Sequence, residues 1–359
     1  MTILIFSYPK DPHFHFVEKR LIKRKANYRL FDFTFPTMTS SVSCLISKDK
    51  GLSVVISQEN APDLPLECVK SVWYRRLCDP LEPSVDTCSN EIDPRVTYVR
   101  NENMSLLGTF FHVLKDRLWL PDMVNERSAN YKPVQLALAV KHGFDVPETW
   151  IGNAPSDVVR FISELECVEQ FALKGLHRGG YTASPPALKQ WFVDVINRTV
   201  LAFSKRKLYV ETNLYGPTEV MDRSTLLAHV DAVRHCPIQI QRYIDKCLEL
   251  RITVIGDRIF ACSLDSQKVD AMKHDWRSGT EEEISKIQAP FALPTEIQDR
   301  CLEFMRTLGL NFGCIDMILT PDDQYVFLEI NPNGQWAWLE RDLGFDISGA
   351  IADLLIEAD

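Results

Sequence analysis

Three side chains near the C-terminus have the types and spacing of a hard-cation site. The runs 312–319 (FGCIDMIL) and 324–330 (QYVFLEI) read as strands joined by the turn Thr320–Pro321–Asp322–Asp323. Each is apolar except for one acid in its middle, Asp316 and Glu329. A carboxylate inside a core-forming strand is costly unless something pairs with it. Side chains two apart in a strand share a face, so Glu329 and Asn331 point the same way, and antiparallel pairing would bring Asp316 beside them. Two carboxylates and an amide oxygen suit Mg2+, which takes a few protein oxygens together with water and substrate phosphates. The plain alternative is a pair of surface acids on an edge strand.

Other candidates lie upstream. Lys132 opens a helix expected over 133–142, and most such lysines are simply solvated. The short strand 171–174 (FALK) ends in Lys174 before a loop containing Gly175, Gly179 and Gly180. Glycine lets backbone N–H groups approach an anion, so this loop could cover phosphates, although it has neither Walker nor dinucleotide-fold spacing. Glu249 and Arg251 share a strand face, where a surface ion pair is the ordinary reading. Asp275–Trp276–Arg277 follows in a polar loop. Arg75 and Arg76 end a strand at 72–74, and a pairing with acids across a domain seam accounts for them best.

The elements that must position these groups fall into an α/β and α+β chain of 359 residues, too long for one core. Strand 3–6, a helix over 14–25 whose basic residues form a solvated face, and strand 28–33 order like a parallel sheet. A hairpin is expected at 42–46 and 52–56, a helix over 103–118, and a connector over 121–128. Beyond it come a helix at 222–236 capped by Asp222, strand 238–244, a hairpin turning at Gly256–Asp257, and helices at 294–308 and 347–358. The units expected are 1–120, 121–235 and 236–359. A formal charge of −9 argues against binding nucleic acid, and no apolar run is long enough to span a membrane. Ten scattered cysteines without a CxxC pair, and an N-terminus without a signal-peptide layout, suit a cytoplasmic protein.

In this order, the signals resemble the ATP-grasp superfamily over roughly residues 125–356. FLEINPNGQWAWLE (327–340), VWYRR (72–76), ELRITVIGDRIFACSLDSQ (249–267) and DWR (275–277) narrow the resemblance to the MvdC/MvdD-type, or graspetide (microviridin-type), peptide maturases. It implies an ATP-grasp fold behind an N-terminal pre-ATP-grasp α/β domain, with ATP and Mg2+ as cofactors. Lys132 and Lys174 would then contact phosphates and Gly179–Gly180 cover them. Main-chain groups of Arg242, Tyr243 and Ile244 would meet adenine, Glu249 the ribose, and Asp316, Glu329 and Asn331 the metal. The implied activity is ester or amide formation between side chains of a ribosomal precursor peptide, whose leader docks while its core reacts, and the implied assembly is a homodimer. Arg242 departs from relatives that carry an acid there, and the 175–181 loop is poorer in glycine than many.

The residue types suit that chemistry. A carboxylate takes the γ-phosphoryl group of ATP, and a Ser/Thr hydroxyl or Lys amine attacks the resulting acyl phosphate. Arg251 and Arg277 are candidates for holding the transferring phosphoryl group and the oxyanion. No acid stands out as the general base. Residues 205–220 and the N-terminal unit could hold the peptide, and Trp336 and Trp338 read as core packing first and as a wall for the peptide second. Two other functions stay open: a RimK-like ligase adding an amino acid, and a non-catalytic nucleotide- or peptide-binding scaffold.

Overall fold

The computed structural model describes residues 1–32, 39–49, 51–76, 94–176 and 218–358. Strand β1 (Thr2–Phe6) leads through helix α1 (Pro12–Lys23) into β2 (Tyr28–Phe31), parallel to β1. Asp11 caps α1 by accepting from the His13 N–H, and Pro12 sits in the first turn, where no N–H is required. Phe14, Val17 and Leu21 form its buried face. Lys19, Lys23, Arg24 and Lys25 are exposed as a solvated face should be, whereas Arg20 is half-buried. Arg20 reaches Glu340 at 3.3 Å and Asp346 at 2.7 Å, and Arg24 reaches Asp353 at 2.7 Å, all three in the C-terminal stretch.

The expected hairpin forms as β3 (Ser40–Ser47) and β4 (Gly51–Gln58), with a third strand, β5 (Ala61–Pro65), added to it. Strand β6 (Val69–Tyr74) returns to the parallel sheet on the other side of β1. The helix expected over 103–118 runs instead over Pro94–Val113 as α2, because Leu118–Leu120 leaves it as β7 to pair with β6. Trp119 is buried there and donates its indole N–H to the Leu114 carbonyl at 2.8 Å. The segment read as a connector is helical: α3 (Met123–Ala129) is nucleated by Asp122, which accepts from the Asn125 N–H at 2.9 Å. Helix α4 (Lys132–Lys141) follows.

An antiparallel sheet comes next, in the order β10-β9-β11-β8. It is made of β8 (Thr149–Gly152), β9 (Gln170–Lys174), β10 (Glu219–Asp222) and β11 (Ile238–Arg242), with α5 (Pro155–Glu164) between the first two strands. Asp222 is an N-cap as expected, but its helix is short. α6 covers Arg223–Ala228, then His229 leaves helical dihedrals (φ −115°, ψ 13°) and Val230–His235 is a 3-10 turn.

The last sheet is a five-stranded antiparallel one, in the order β14-β13-β12-β15-β16. Its strands are β12 (Leu248–Ile255), β13 (Arg258–Leu264), β14 (Gln288–Pro290), β15 (Phe312–Leu319) and β16 (Tyr325–Asn331). Helix α7 (Glu281–Ile287) precedes β14, and α8 (Thr295–Thr307) lays Ile297, Cys301, Phe304 and Met305 against one face of the sheet. Helices α9 (Ala337–Leu343) and α10 (Ile347–Glu357) close the chain. Ile347 and Ile351 of α10 share one apolar cluster with Phe14, Val17 and Leu21 of α1, so the first and last elements are a single core.

Candidate active site

The chemistry starts at the β15–β16 pair. Asp316 stands directly opposite Glu329, and Cys314 opposite Asn331. Between Asp316 and Met317 the register slips, because Met317 pairs with Phe327 and Leu328 is left over as a bulge. That slip lets Phe327 and Ile330 join Ile315 and Met317 in the apolar layer under α8, while Glu329 and Asn331 turn to the cleft. The sequence expectation that all three polar groups converge is met. Asn331 donates its amide to Asp316 at 3.1 Å and to Glu329 at 3.3 Å. All three are almost fully buried.

Cations surround the pair of acids. Arg251, in register with Asp316 on β12, donates to its carboxylate at 2.8 Å and to the Gln335 carbonyl at 3.1 Å. Arg277 reaches Asp316 at 3.4 Å and Glu329 at 3.3 Å, and Lys132 is ion-paired with Glu329. Burial works against the charge on Arg277, but Glu329, Asp275 and Asp316 outweigh it and hold the guanidinium firmly protonated. Asp275 also fixes its backbone, accepting from the Arg277 N–H at 3.0 Å and from the Thr218 N–H at 3.1 Å. With Lys174 added, four basic groups face two acids, an excess that suits a polyanionic ligand.

Lys174, at the end of β9, lines the same cleft. Burial pushes its ammonium down to about 8, helped by Arg277 and Lys132 and opposed by Glu329 and Asp275. Glu249 is held by Lys246 at 2.8 Å, and burial raises its pKa despite that partner. Arg242, Tyr243 and Ile244 line the cleft beside it. The Arg242 N–H is given to the Glu148 carbonyl at 2.9 Å and the Tyr243 N–H to the Gln170 carbonyl at 3.0 Å. The Arg242 side chain pairs with Glu148 at 2.7 Å. Gly179 and Gly180, with the stretch 205–217, lie outside the described residues.

The seam expected at Arg75 is more extensive than its sequence signal. Asp11 accepts from Ser7 at 2.9 Å and lies 2.9 Å from His13 Nδ1. Arg75 lies between Asp11 (3.5 Å) and Asn333, whose side-chain oxygen it reaches at 3.0 Å. His13 Nε2 accepts the Trp336 N–H at 3.2 Å, which fixes the proton on Nδ1, toward Asp11. Burial and the Arg75 charge push His13 down to about 4, so it is neutral. Asp11 is held down to about 2, because its hydrogen bond with His13 and the Arg75 charge outweigh burial. Trp336 is core, packed edge-on against His13, whereas Trp338 is half-buried, lies against Trp276 at 5.5 Å and forms part of the cleft wall. Lys246, Asp11 and Asn333 escaped sequence reading. Only Asp11, followed by Pro12, carried a local cue, that of a helix cap.

Asp316, Glu329 and Asn331 fit Mg2+. Among the described residues no three His, Cys, Asp or Glu side chains gather as a metal cluster, but a magnesium site needs only a few protein oxygens beside phosphates. Asn331 Oδ1 is buried without a hydrogen-bond partner. Turning that amide over would aim its oxygen at the two carboxylates, which is favourable only with a cation between them. The cleft encloses about 1180 Å³. That is above the roughly 300–1,000 Å³ usual for one small-molecule site, and leaves room for a nucleotide and a peptide segment.

Residues 220–355 match the family of RimK-like ATP-grasp domains. Similarity to solved structures runs along the whole chain. A Chryseobacterium gregarium RiPP-associated ATP-grasp ligase, in complex with ADP and a leader and core peptide, is 27% identical with a TM-score of 0.81, covering 100% of this chain and 97% of its own. The macrocyclase MdnC of Microcystis aeruginosa MRC, bound with precursor peptide MdnA, is 28% identical over 100% of both chains, with a TM-score of 0.77. MdnB from the same organism is 26% identical over 99% of both, with a TM-score of 0.70. No curated protein sequence matches. Fold and family together define the class: this is an ATP-grasp ligase. Within that class the solved structures it resembles are ligases and macrocyclases of ribosomal peptides, the type its sequence motifs resemble.

Proposed function

We propose that this chain is an ADP-forming ligase that ties Asp or Glu side chains of a ribosomal precursor peptide to its own Ser, Thr or Lys side chains. The observation that carries this is the meeting of Asp316, Glu329 and Asn331 with Arg251, Arg277 and Lys132 in one cleft with room for two ligands. Lys132 and Lys174 hold the phosphates, and Gly179–Gly180 belong to the covering loop. Main-chain groups of Arg242–Ile244 meet the adenine, and Glu249 meets the ribose. Asp316, Glu329 and Asn331 hold Mg2+, which when bound neutralises and orients the phosphates.

Arg277 faces both acids and is itself partly exposed to the cleft, so it is free to follow the γ-phosphoryl group onto the peptide carboxylate. Arg251 is locked between Asp316 and Gln335 and offers a fixed donor to the oxyanion that forms next. The peptide enters beside Trp338, leader and core engaging one protomer of a homodimer. Eight free cysteines among the described residues support work in the reducing cytoplasm. No helix among the described residues is long and apolar enough to cross a membrane.

The test is mass spectrometry of the precursor peptide encoded beside the gene, incubated with enzyme, ATP and Mg2+. Loss of whole water molecules with matching ADP release is the expected result. A mass gain equal to an amino acid would instead make the protein a RimK-like ligase, and nucleotide binding without ADP release would make it a scaffold.

A further inference from the structure

The proposed reaction needs a group to take the acceptor's proton, and the sequence names none. Among the described residues six carboxyl groups line the cleft, with Asp316 behind them and ion-paired with Arg251 and Arg277. Five of the six are ion-paired: Glu249 with Lys246, Asp275 with Arg277, Glu329 with Lys132 and Arg277, and both Glu281 and Asp342 with Arg341. Of the two cleft histidines, His13 has given its lone pair to the Trp336 N–H, and His274 sits against Tyr243 beside the hinge segment 242–244. The sixth carboxyl is Glu126.

Glu126 lies on α3, six residues before Lys132, and is half-buried. Its carboxyl lies near Asn333, two residues past Asn331 on the turn that ends the β16 strand. Tyr74 and Arg75 flank it from β6 and its end. It lines the same cleft as Lys132, Arg277 and Glu329, beside residues of the N-terminal unit, so an acceptor side chain bound in that cleft has this carboxyl within the same chamber.

We propose that Glu126 is the general base of the bond-forming step. It takes the proton of the Ser or Thr hydroxyl as that oxygen attacks the acyl carbon. The O–H bond breaks, the new C–O bond forms, and the bond from acyl carbon to phosphate oxygen breaks to release inorganic phosphate. For a lysine acceptor the same carboxylate takes a proton from nitrogen. Burial, opposed by the neighbouring Asn333 and the Arg75 charge, pushes Glu126 up to about 7, close to where a base works best.

The proposal rests on the acyl-phosphate reading above, and one experiment separates the two. Wild type and Glu126→Gln are given precursor peptide, ATP and Mg2+, with and without hydroxylamine, a nucleophile that needs no base. The expected result is that Glu126→Gln forms peptide hydroxamate within about twofold of wild type but loses ring formation on the order of 100-fold or more. Wild-type ring formation should rise with pH through a limb near neutrality that the variant lacks, and Glu126→Asp should recover part of the rate. Melting temperature at pH 8 should not fall in Glu126→Gln, since the variant removes a carboxylate that burial disfavours. Ring formation at the wild-type rate overturns the proposal, as does a parallel loss of hydroxamate and rings. If wild type itself yields no hydroxamate, the acyl-phosphate reading fails and Glu126 goes with it.

Discussion

The Arg75 guanidinium holds Asn333 twice, at 3.0 Å to the side-chain oxygen and 3.3 Å to the backbone carbonyl. Asn333 answers by donating to the Tyr74 and Arg75 carbonyls at 3.2 and 2.8 Å. The N-terminal sheet thus clamps the turn two residues beyond Asn331. Arg75→Ala removes one partner of a buried charge network and should cost about 3–5 kcal/mol in chemical denaturation. Arg75→Lys keeps the charge but loses the fork, so it should fold and require a higher Mg2+ concentration for half-maximal turnover. Unchanged Mg2+ dependence in the lysine variant would mean the clamp does not reach the metal strand.

Glu329 balances Lys132 and Arg277 as well as facing Asp316. Glu329→Gln and Asn331→Ala should each lower kcat by about 100-fold or more, while peptide affinity measured by fluorescence anisotropy stays within a few-fold. Wild-type turnover in either variant would remove the metal assignment.

His13 makes stability depend on pH. Its folded value of about 4 lies below the ordinary 6.5, so as pH falls from 6.5 through 4 the unfolded chain takes up a proton that the native state refuses. Stability should therefore be lost over that window, by at most about 3 kcal/mol from this group. Asp11, held at about 2, adds a further loss below pH 3.8. Urea titrations at pH 7 and pH 5 should reveal the first loss, and His13→Phe, though less stable at pH 7, should flatten the slope between them.

Lys174 titrates near 8 because it is buried among other cations, and an arriving triphosphate would restore its preference for the proton. ATP binding at pH 8.5 should therefore take up protons, seen as a dependence of calorimetric heat on buffer ionisation enthalpy. Lys174→Met should abolish the uptake and weaken ATP binding. Uptake that persists in the variant would assign it to another group.

What could be read from the sequence was local. The period-two placement of Glu329 and Asn331 needs only the strand itself, and Asp222 needs only its own helix start. The α2 boundary was misjudged because Leu118–Leu120 is drawn out of helical periodicity by a partner strand nearly fifty residues earlier. Arg20 looked fully solvated because its acids stand more than 300 residues away. Asn333 and Glu126 carry no mark of their own, since their meeting depends on α3 packing beside a turn from the far end of the chain.

The surplus Leu328 sets the phase of the whole ribbon. Phe327 and Glu329, two positions apart, look in opposite directions, one into oil and one toward the reaction chamber. Straightening the bulge with that leucine kept in the ladder would restore unbroken alternation and carry the downstream acid and amide into the greasy layer beneath α8. A strand with better hydrogen-bond continuity would then lose its cleft-facing acid and amide, so the irregularity itself is what keeps those oxygens turned to the cleft.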